Sequence, residues 1–486
     1  MRTFIRLLLP LAVIGAVLAG CGLSGQFKPN QAPETTLYVQ GEVDTVAHIA
    51  HLHWFGSDTD GDVVGYEIRL LNPVSPAETA WVYTLRADSI INIQAPQGFT
   101  APVFQVRAVD NEGFRDPTPA SEDFQFRNIA PTVQMTDKPA FTDTTFASVT
   151  VTWVAGDLDG DVSRAKYYVW LDGQAATPES TTAKTFTMPS ARFMNVSGTY
   201  TNGYRKLYVQ ARDDGGRLGN IDSVQWFVRR PVTGTRARLL IIDDVPTTNT
   251  SNARFDSLFA NAASRNLPSD QYAVMRLQNK TPFRSAKDVA QTFKLFEAVI
   301  WYRANETSFS TFLRNYQAGV EEYVNSGGKM YLEGLYLLEG RSATGALTES
   351  FVNDILNCNG MFNTFVISTA VNDSSAGFGT ANNSRFISPV LADSTRQQAL
   401  SARTGEAGGT RAFKVRDNSK VLMWALPGSI TPALSDTLPV AVMADRPGNG
   451  RMVLTTVPFS TSIPAIGGPG PRLIAKVFGL LGLTTP

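Results

Sequence analysis

The sequence predicts a multidomain chain, two all-β immunoglobulin-like sandwiches followed by an α/β domain with a mostly parallel sheet. Three observations predict it. The stretch WFGSDTDGDV, residues 54 to 63, returns as WVAGDLDGDV at residues 153 to 162, so a unit of about a hundred residues is present twice. Each copy alternates short apolar and polar strands with turn signals between them. After RRPVTGTRAR, residues 229 to 238, the texture changes to strands alternating with helices, the pattern of a parallel sheet covered on both faces.

The first twenty residues, MRTFIRLLLPLAVIGAVLAG, carry two arginines, an apolar run too short for a stable span, and then small residues. This is the pattern of a secretory signal peptide. Its end, Leu18-Ala19-Gly20-Cys21, resembles the lipobox of bacterial lipoproteins. The resemblance implies that Cys21 is lipidated and becomes the mature N-terminus. With Gly22 and not Asp next to it, the family's sorting rule implies the outer membrane of a two-membrane cell. Roughly three acyl chains, at about 0.8 kcal/mol per buried CH₂, would make this membrane anchor effectively permanent.

Removal of the signal leaves 41 basic against 43 acidic residues. A charge so near zero gives no footing for nucleic acid or an anionic membrane surface. The 43% hydrophobic content supports more than one core over 486 residues. With Cys21 carrying lipid, Cys358 has no partner in the chain, so disulfides do not hold the fold. In NDILNCNGMF, Cys358 reads as a small buried residue on a helix.

Residues 21 to 35 read as a polar, Pro-containing tether. Module 1 follows over residues 36 to 128: the strand AHIAHLHW, the loop SDTDGD, the strand VVGYEIRLL, then FQVRAVDNEG and EDFQFR. Module 2, residues 129 to 230, matches it with SVTVTW, GDLDGD, AKYYVWLDG, KLYVQARDDGG and SVQWFVRR. Size and texture are those of an immunoglobulin-like sandwich. A Trp at 54 or 153 ahead of a D-x-D-G loop, with a Tyr in the next strand, resembles the fibronectin type III-like modules of bacterial surface proteins.

In such a sandwich the loops after the second and the sixth strands lie at one end. Asp157, Asp159 and Asp161 then approach Asp213 and Asp214, while Asp58, Asp60 and Asp62 face Asp110. Two readings stay open. Calcium takes about six to eight oxygens, and extracellular modules bind it at about 10⁻⁴ to 10⁻³ M. Alternatively the aspartates accept backbone N–H groups in tight corners, with Gly61 and Gly160 at positive φ. Neither loop is a full EF-hand, because no Glu stands at the twelfth position. His48, His51 and His53 all fall in one strand, where a surface metal site competes with a solvated sheet face. Module 2 has Thr150 and Thr152 at the places of His51 and His53, which favours the solvated face.

The α/β domain spans residues 236 to 486. Strand RLLIIDD, helix NARFDSLFANAASR, strands QYAVMRL and FEAVIWYR, a helix closed by Gly-Gly, strand GGKMYLEG, a hairpin around PGNG and the helix RLIAKVFGLLGL follow in order. This order resembles the class I glutamine amidotransferase-like fold, a relative of flavodoxin. In that family the strand at GGKMYLEG leads to a nucleophilic Cys, with a His later in the chain. Here the place reads Leu332-Glu333-Gly334-Leu335, and no His occurs after His53. A Cys-His or Ser-His mechanism therefore cannot be assembled in this domain.

Open parallel sheets bind ligands outside the carboxyl ends of their strands. The polar residues arriving there are Asp243, Asp244, Tyr302, Arg303, Glu306 and Glu333. The preferred expectation is a non-catalytic cell-envelope lipoprotein that binds a protein or glycan partner, with the β modules as stalk. Two alternatives stand beside it: a carboxylate-dependent enzyme acting on polysaccharide through Asp243, Asp244 and Glu333, and a structural component of envelope assembly. Residues 366 to 411 read as a long loop region beside this edge.

Overall fold

A computed structural model describes residues 28–39, 49–71, 80–231, 237–246, 259, 263–265, 267–277, 282–303, 311–334, 347–361, 366–367, 386–387, 399–400, 413–416, 419–425, 430–431, 438–456 and 476–483. The signal peptide, Cys21, His48 and Glu306 lie outside them.

In module 1, β1 (Glu34–Val39), β2 (Ile49–Ser57) and β5 (Asp88–Asn92) form one antiparallel sheet in the order β1-β2-β5. A second sheet is built from β3 (Val63–Leu71), β4 (Val82–Thr84), β7 (Val103–Asp110) and β8 (Ala120–Asp123), and β6 (Phe99–Thr100) pairs with β9 (Phe126–Arg127). The alternation of β2 sends Ala50, Leu52 and Trp54 inward and His51 and Phe55 outward. Both sheets feed one core, where Ala50, Leu52 and Trp54 meet Phe104, Val106, Phe124 and Phe126. The Trp54 indole N–H, which burial would otherwise orphan, donates to the carbonyl of Arg86 at 3.0 Å. On the outer face the His53 ring stacks on Tyr38, with centroids 5.5 Å apart.

Module 2 repeats this plan. One sheet is β10 (Thr132–Asp137), β12 (Val149–Gly156) and β15 (Thr185–Met188) in the order β10-β12-β15. The other combines β11 (Thr144–Thr145), β13 (Lys166–Leu171), β14 (Glu179–Thr181), β16 (Gly203–Arg212) and β17 (Leu218–Val228) in the order β11-β17-β16-β13-β14. Trp153 meets Tyr167 edge to face at 5.2 Å, as Trp54 meets Tyr66 at 6.2 Å.

By internal contacts the chain forms two compact units, residues 1–132, 155–166 and 211–220, and residues 133–154, 167–210 and 221–486. The division runs through module 2, and not along the change of texture at 229–238.

In the second unit β18 (Ala237–Asp243), β19 (Tyr272–Arg276), α1 (Ala286–Phe293), β20 (Phe296–Tyr302), α2 (Thr311–Asn325) and β21 (Lys329–Glu333) follow in order. The later strands are β22 (Cys358–Met361), β23 (Val366–Ile367), β24 (Phe386–Ile387), β25 (Ala399–Leu400), β26 (Phe413–Val415), β27 (Lys420–Ala425), β28 (Ile430–Thr431), β29 (Leu438–Asp445) and β30 (Arg451–Thr455). One nine-stranded sheet runs β19-β18-β20-β21-β30-β29-β27-β24-β25. Its first five strands are parallel, and the pairings from β30 through β29 and β27 to β24 and β25 are antiparallel. Gly327, at φ 97°, ends α2 by a conformation that only glycine adopts cheaply. Parts of the stretch read as a loop, residues 386–387 and 399–400, are the far strands of this sheet. Cys358 opens β22 and is not on a helix; burial pushes its thiol up to about 12.

Module 2 packs against α1 within this unit. Phe146 meets Phe296 edge to face at 5.4 Å, Ser148 Oγ donates to Asp288 Oδ1 at 2.5 Å, and the hydroxyls of Thr150 and Ser285 lie 2.6 Å apart. Thr150 is thus buried, where the sequence suggested a solvated face, because a domain covers it. Ser285 caps α1 by accepting the N–H of Asp288, whose carboxylate accepts the N–H of Arg284 in return. Arg284 also pairs with Asp137 and Asp143. Burial dominates these bonds and pushes Asp288 up to about 6.

Folded Asp288 therefore holds its proton more tightly than the unfolded chain does. Its contribution to stability is fullest below about pH 4 and is lost as pH rises through about 6. In urea melts, Asp288→Asn is expected to gain stability relative to the parent chain between pH 4 and pH 7, and a constant difference across that range would contradict this.

Candidate functional site

Strand order in the α/β sheet reverses at β18, which has β19 on one side and β20 on the other. Ligands of such sheets bind at the carboxyl ends of the strands flanking that point. Asp243 pairs in register with Tyr302, Tyr302 with Glu333, and Glu333 with Thr455. Residues in one register row share a face, so Asp243 and Glu333 flank Tyr302 with about 10 Å between their Cα atoms, two strand spacings.

Each carboxylate in this row has a described partner. Asp243 Oδ1 accepts the N–H of Val245 at 3.0 Å, and the Tyr331 hydroxyl donates to Glu333 Oε2 at 2.6 Å. Phe259 covers Tyr302 and Tyr331, at ring distances of 5.0 and 5.9 Å. Burial, the Glu333 charge and that hydrogen bond together hold the Tyr331 phenol far above its ordinary range, so it serves as a donor and not as a base.

Asp244 faces the other way. Its carboxylate accepts the Trp301 indole N–H at 3.2 Å and pairs with Arg303 at 3.0 Å, and the same Arg303 nitrogen donates to the Asp244 carbonyl at 2.9 Å. The two adjacent aspartates thus lie on opposite faces and cannot act as one acid/base pair. The backbone after Glu333 carries no nucleophile, and Gly334 N–H donates to the carbonyl of Thr455 at 3.2 Å, tying that turn to the neighbouring strand.

The acidic loops form a second cluster, and here the structure adds residues that sequence reasoning missed. Asn30-Gln31-Ala32-Pro33, inside the stretch read as tether, recurs as Asn128-Ile129-Ala130-Pro131 ahead of β10. In module 1, Asn30 Nδ2 donates to Asp110 Oδ2 at 2.6 Å and the N–H of Gln31 reaches Asp60 at 3.3 Å. In module 2, Asn128 Nδ2 donates to Asp213 Oδ1 at 3.2 Å and the N–H of Ile129 reaches Asp159 Oδ2 at 2.7 Å. Each acidic loop therefore clamps the segment that leads into its own module. The N-x-A-P repeat was the available signal.

Within module 1, Asp110 also accepts the N–H groups of Glu112 and Phe114. Burial would raise it, but these bonds and the Asn30 amide outweigh burial and hold it below the usual range. Asp58 Oδ1 accepts the N–H of Asp60, and Asp62 exchanges backbone and side-chain bonds with Asn111. In module 2, Asp161 turns to Ser163, whose N–H and hydroxyl it accepts at 2.8 and 2.7 Å, and Asp214 pairs with Arg164 at 3.2 Å. Burial and the Asp159 carboxyl beside it push Asp157 up to about 6.

Gly61 and Gly160 do not take positive φ. A Cβ at Gly61 would stand 2.6 Å from Asn111 Oδ1, and one at Gly160 only 2.3 Å from Asp157 Oδ2. Glycine is needed for the close approach of those side chains and not for a left-handed turn. Among the described residues, no three acidic, His or Cys side chains are already gathered as a metal site.

A scan against protein families matches none, and no curated protein matches the sequence. Solved structures do match. Fibronectin(III)-like modules of Clostridium thermocellum CbhA align over 40% of this chain and 95% of that one, at 19% identity and a TM-score of 0.21. The FN1-FN3 domains of chicken CNTN1 align over 45% of this chain and 70% of that one, at 13% identity and a TM-score of 0.19. Neither score carries a conclusion, and the strand orders above rest on their own hydrogen bonding.

Removal of one partner from the switch-point ion pair strands a buried charge. Arg303→Met is expected to cost about 3–5 kcal/mol in denaturant melts. The loss of one hydroxyl in Tyr331→Phe is expected to cost about 1–3 kcal/mol. Equal and negligible losses would mean that the carboxyl edge is held by other contacts.

Proposed function

We propose that the chain is a non-catalytic cell-envelope lipoprotein, anchored through lipid on Cys21, that binds a protein or glycan partner through its α/β domain. In this reading the two β modules are fibronectin type III-like and serve as stalk, and the α/β domain is a degenerate amidotransferase-like domain. The observation that supports it is the commitment of the strand-end groups: Asp244 to Arg303 and Trp301, Glu333 to Tyr331, and Asp243 to Val245. Groups bound up in this way present a preformed polar surface. They are poorly placed to cycle protons during turnover.

The carboxylate-enzyme reading keeps one observation in its favour. Asp243 and Glu333 share a face with one strand between them, a spacing within reach of an inverting carboxylate pair. One experiment separates the two. The mature chain is expected to release no product from glutamine, ester or polysaccharide substrates, while turnover that disappears in Glu333→Gln would overturn the binding reading. For the anchor, Cys21→Ser is expected to move the protein from the membrane fraction to the soluble fraction. Retention of that variant in the membrane would remove lipid as the means of attachment. No described helix is long and apolar enough to cross a membrane.

A further inference from the structure

The two loop clamps are copies of one device, and their differences are informative. Where module 1 has Asn111 after Asp110, module 2 has Asp214 after Asp213, so the second clamp carries an additional carboxylate. In module 1 the clamp asparagine is half-buried and the aspartate it meets, Asp110, is held in its charged form by backbone donors. In module 2 the asparagine, Asn128, is 1% exposed, and its amide oxygen has no hydrogen-bond partner although its Nδ2 lies 3.2 Å from Asp213. By covalent geometry that oxygen sits beside the same cluster. A buried amide oxygen left without a donor is costly, and a native protein rarely leaves one so. Asp159 Oδ1, also buried, is in the same condition.

These oxygens share a chemistry. Asp157 and Asp159 are pressed together with Asp213 nearby, and Gly160 is the residue whose lack of a side chain lets Asp157 come in. A hard divalent cation would relieve the repulsion of these carboxylates and give the Asn128 and Asp159 oxygens something to meet.

We propose that the module 2 clamp is a calcium site whose protein donors are Asp157, Asp159 and Asp213 with the amide oxygen of Asn128. The cation completes the gathering of these side chains. Asp161, committed to Ser163, and Asp214, paired with Arg164, stand outside the donor set. The module 1 clamp lacks the buried, unmet asparagine oxygen, since its lead-in asparagine Asn30 is only half-buried, so the site is placed in module 2 alone. The inference does not rest on the ligand reading of the α/β domain.

The test is calorimetric titration of calcium chloride into the chelator-stripped mature chain, with thermal melts alongside. One site with Kd of about 10⁻⁴ to 10⁻³ M is expected at pH 7.5, together with a rise in Tm. Asp157→Asn is expected to weaken binding at least tenfold, and Asp58→Asn, its counterpart in module 1, to leave binding unchanged. Should Asp157→Asn not fold, Asp159→Asn decides the matter: its amide oxygen can still accept the Ile129 N–H, and it too is expected to weaken binding at least tenfold. No binding at 10 mM calcium (about ten times the weakest affinity expected of such a module) would overturn the proposal. Binding that survives Asp157→Asn or Asp159→Asn would overturn it equally.

Discussion

Both β modules depend on a carboxylate that ends a strand and must find a donor from outside the sheet. Asp110 and Asp213 are almost wholly buried at the ends of β7 and just past β16, where turn N–H groups occupy one oxygen. Chain from ahead of the module adds a further donor: the Asn30 amide meets the other oxygen of Asp110, and the Asn128 amide meets the Asp213 oxygen that the Arg217 N–H also uses. Each buried carboxylate gains from such a donor, so the lead-in segment is held by a distant partner and not by its own propensity. The acidic loop appears twice because each module needs its own fastening.

The α/β domain manages buried charge differently. At its switch point the charges are matched across neighbouring strands, Asp244 by Arg303, while Glu333 takes a phenol from its own strand. At its contact with module 2 the buried carboxylate, Asp288, is shared between a helix cap and a hydroxyl of another domain. Burial inclines Asp288 to lose its charge, whereas Asp244 has a guanidinium in contact with its carboxylate.

Much of this was legible in the sequence, for local reasons. Trp54 and Trp153, the D-x-D-G loops and the alternation of β2 and β12 reported two similar β modules, since period-two burial is written residue by residue. The order of strands and helices after residue 237 reported a parallel sheet, and its strand ends reported where Asp243, Tyr302 and Glu333 would gather. The split of Asp243 from Asp244 follows from the same alternation. What escaped was set by distant partners. Asn30 read as tether because its aspartate lies 80 residues away, and Thr150 read as solvated because Ser285 lies 135 residues away. Gly61 and Gly160 were recognised as necessary but for the wrong reason: the constraint is a neighbouring side chain and not the backbone angle.

The covered face at Phe146, Ser148 and Thr150 bears on how such a chain could be assembled by recombination. In the first copy the place of Thr150 is held by His51, which faces water, whereas the second copy is covered at that face. A crossover near residue 230 would bare an aromatic ring and two hydroxyls on one product and leave Asp288 without its hydroxyl partner on the other. Module 2 therefore travels with the α/β domain, and it is tied to module 1 as well, since the turn at Asp214 and Gly215 is bonded to Gln94 and Ala95.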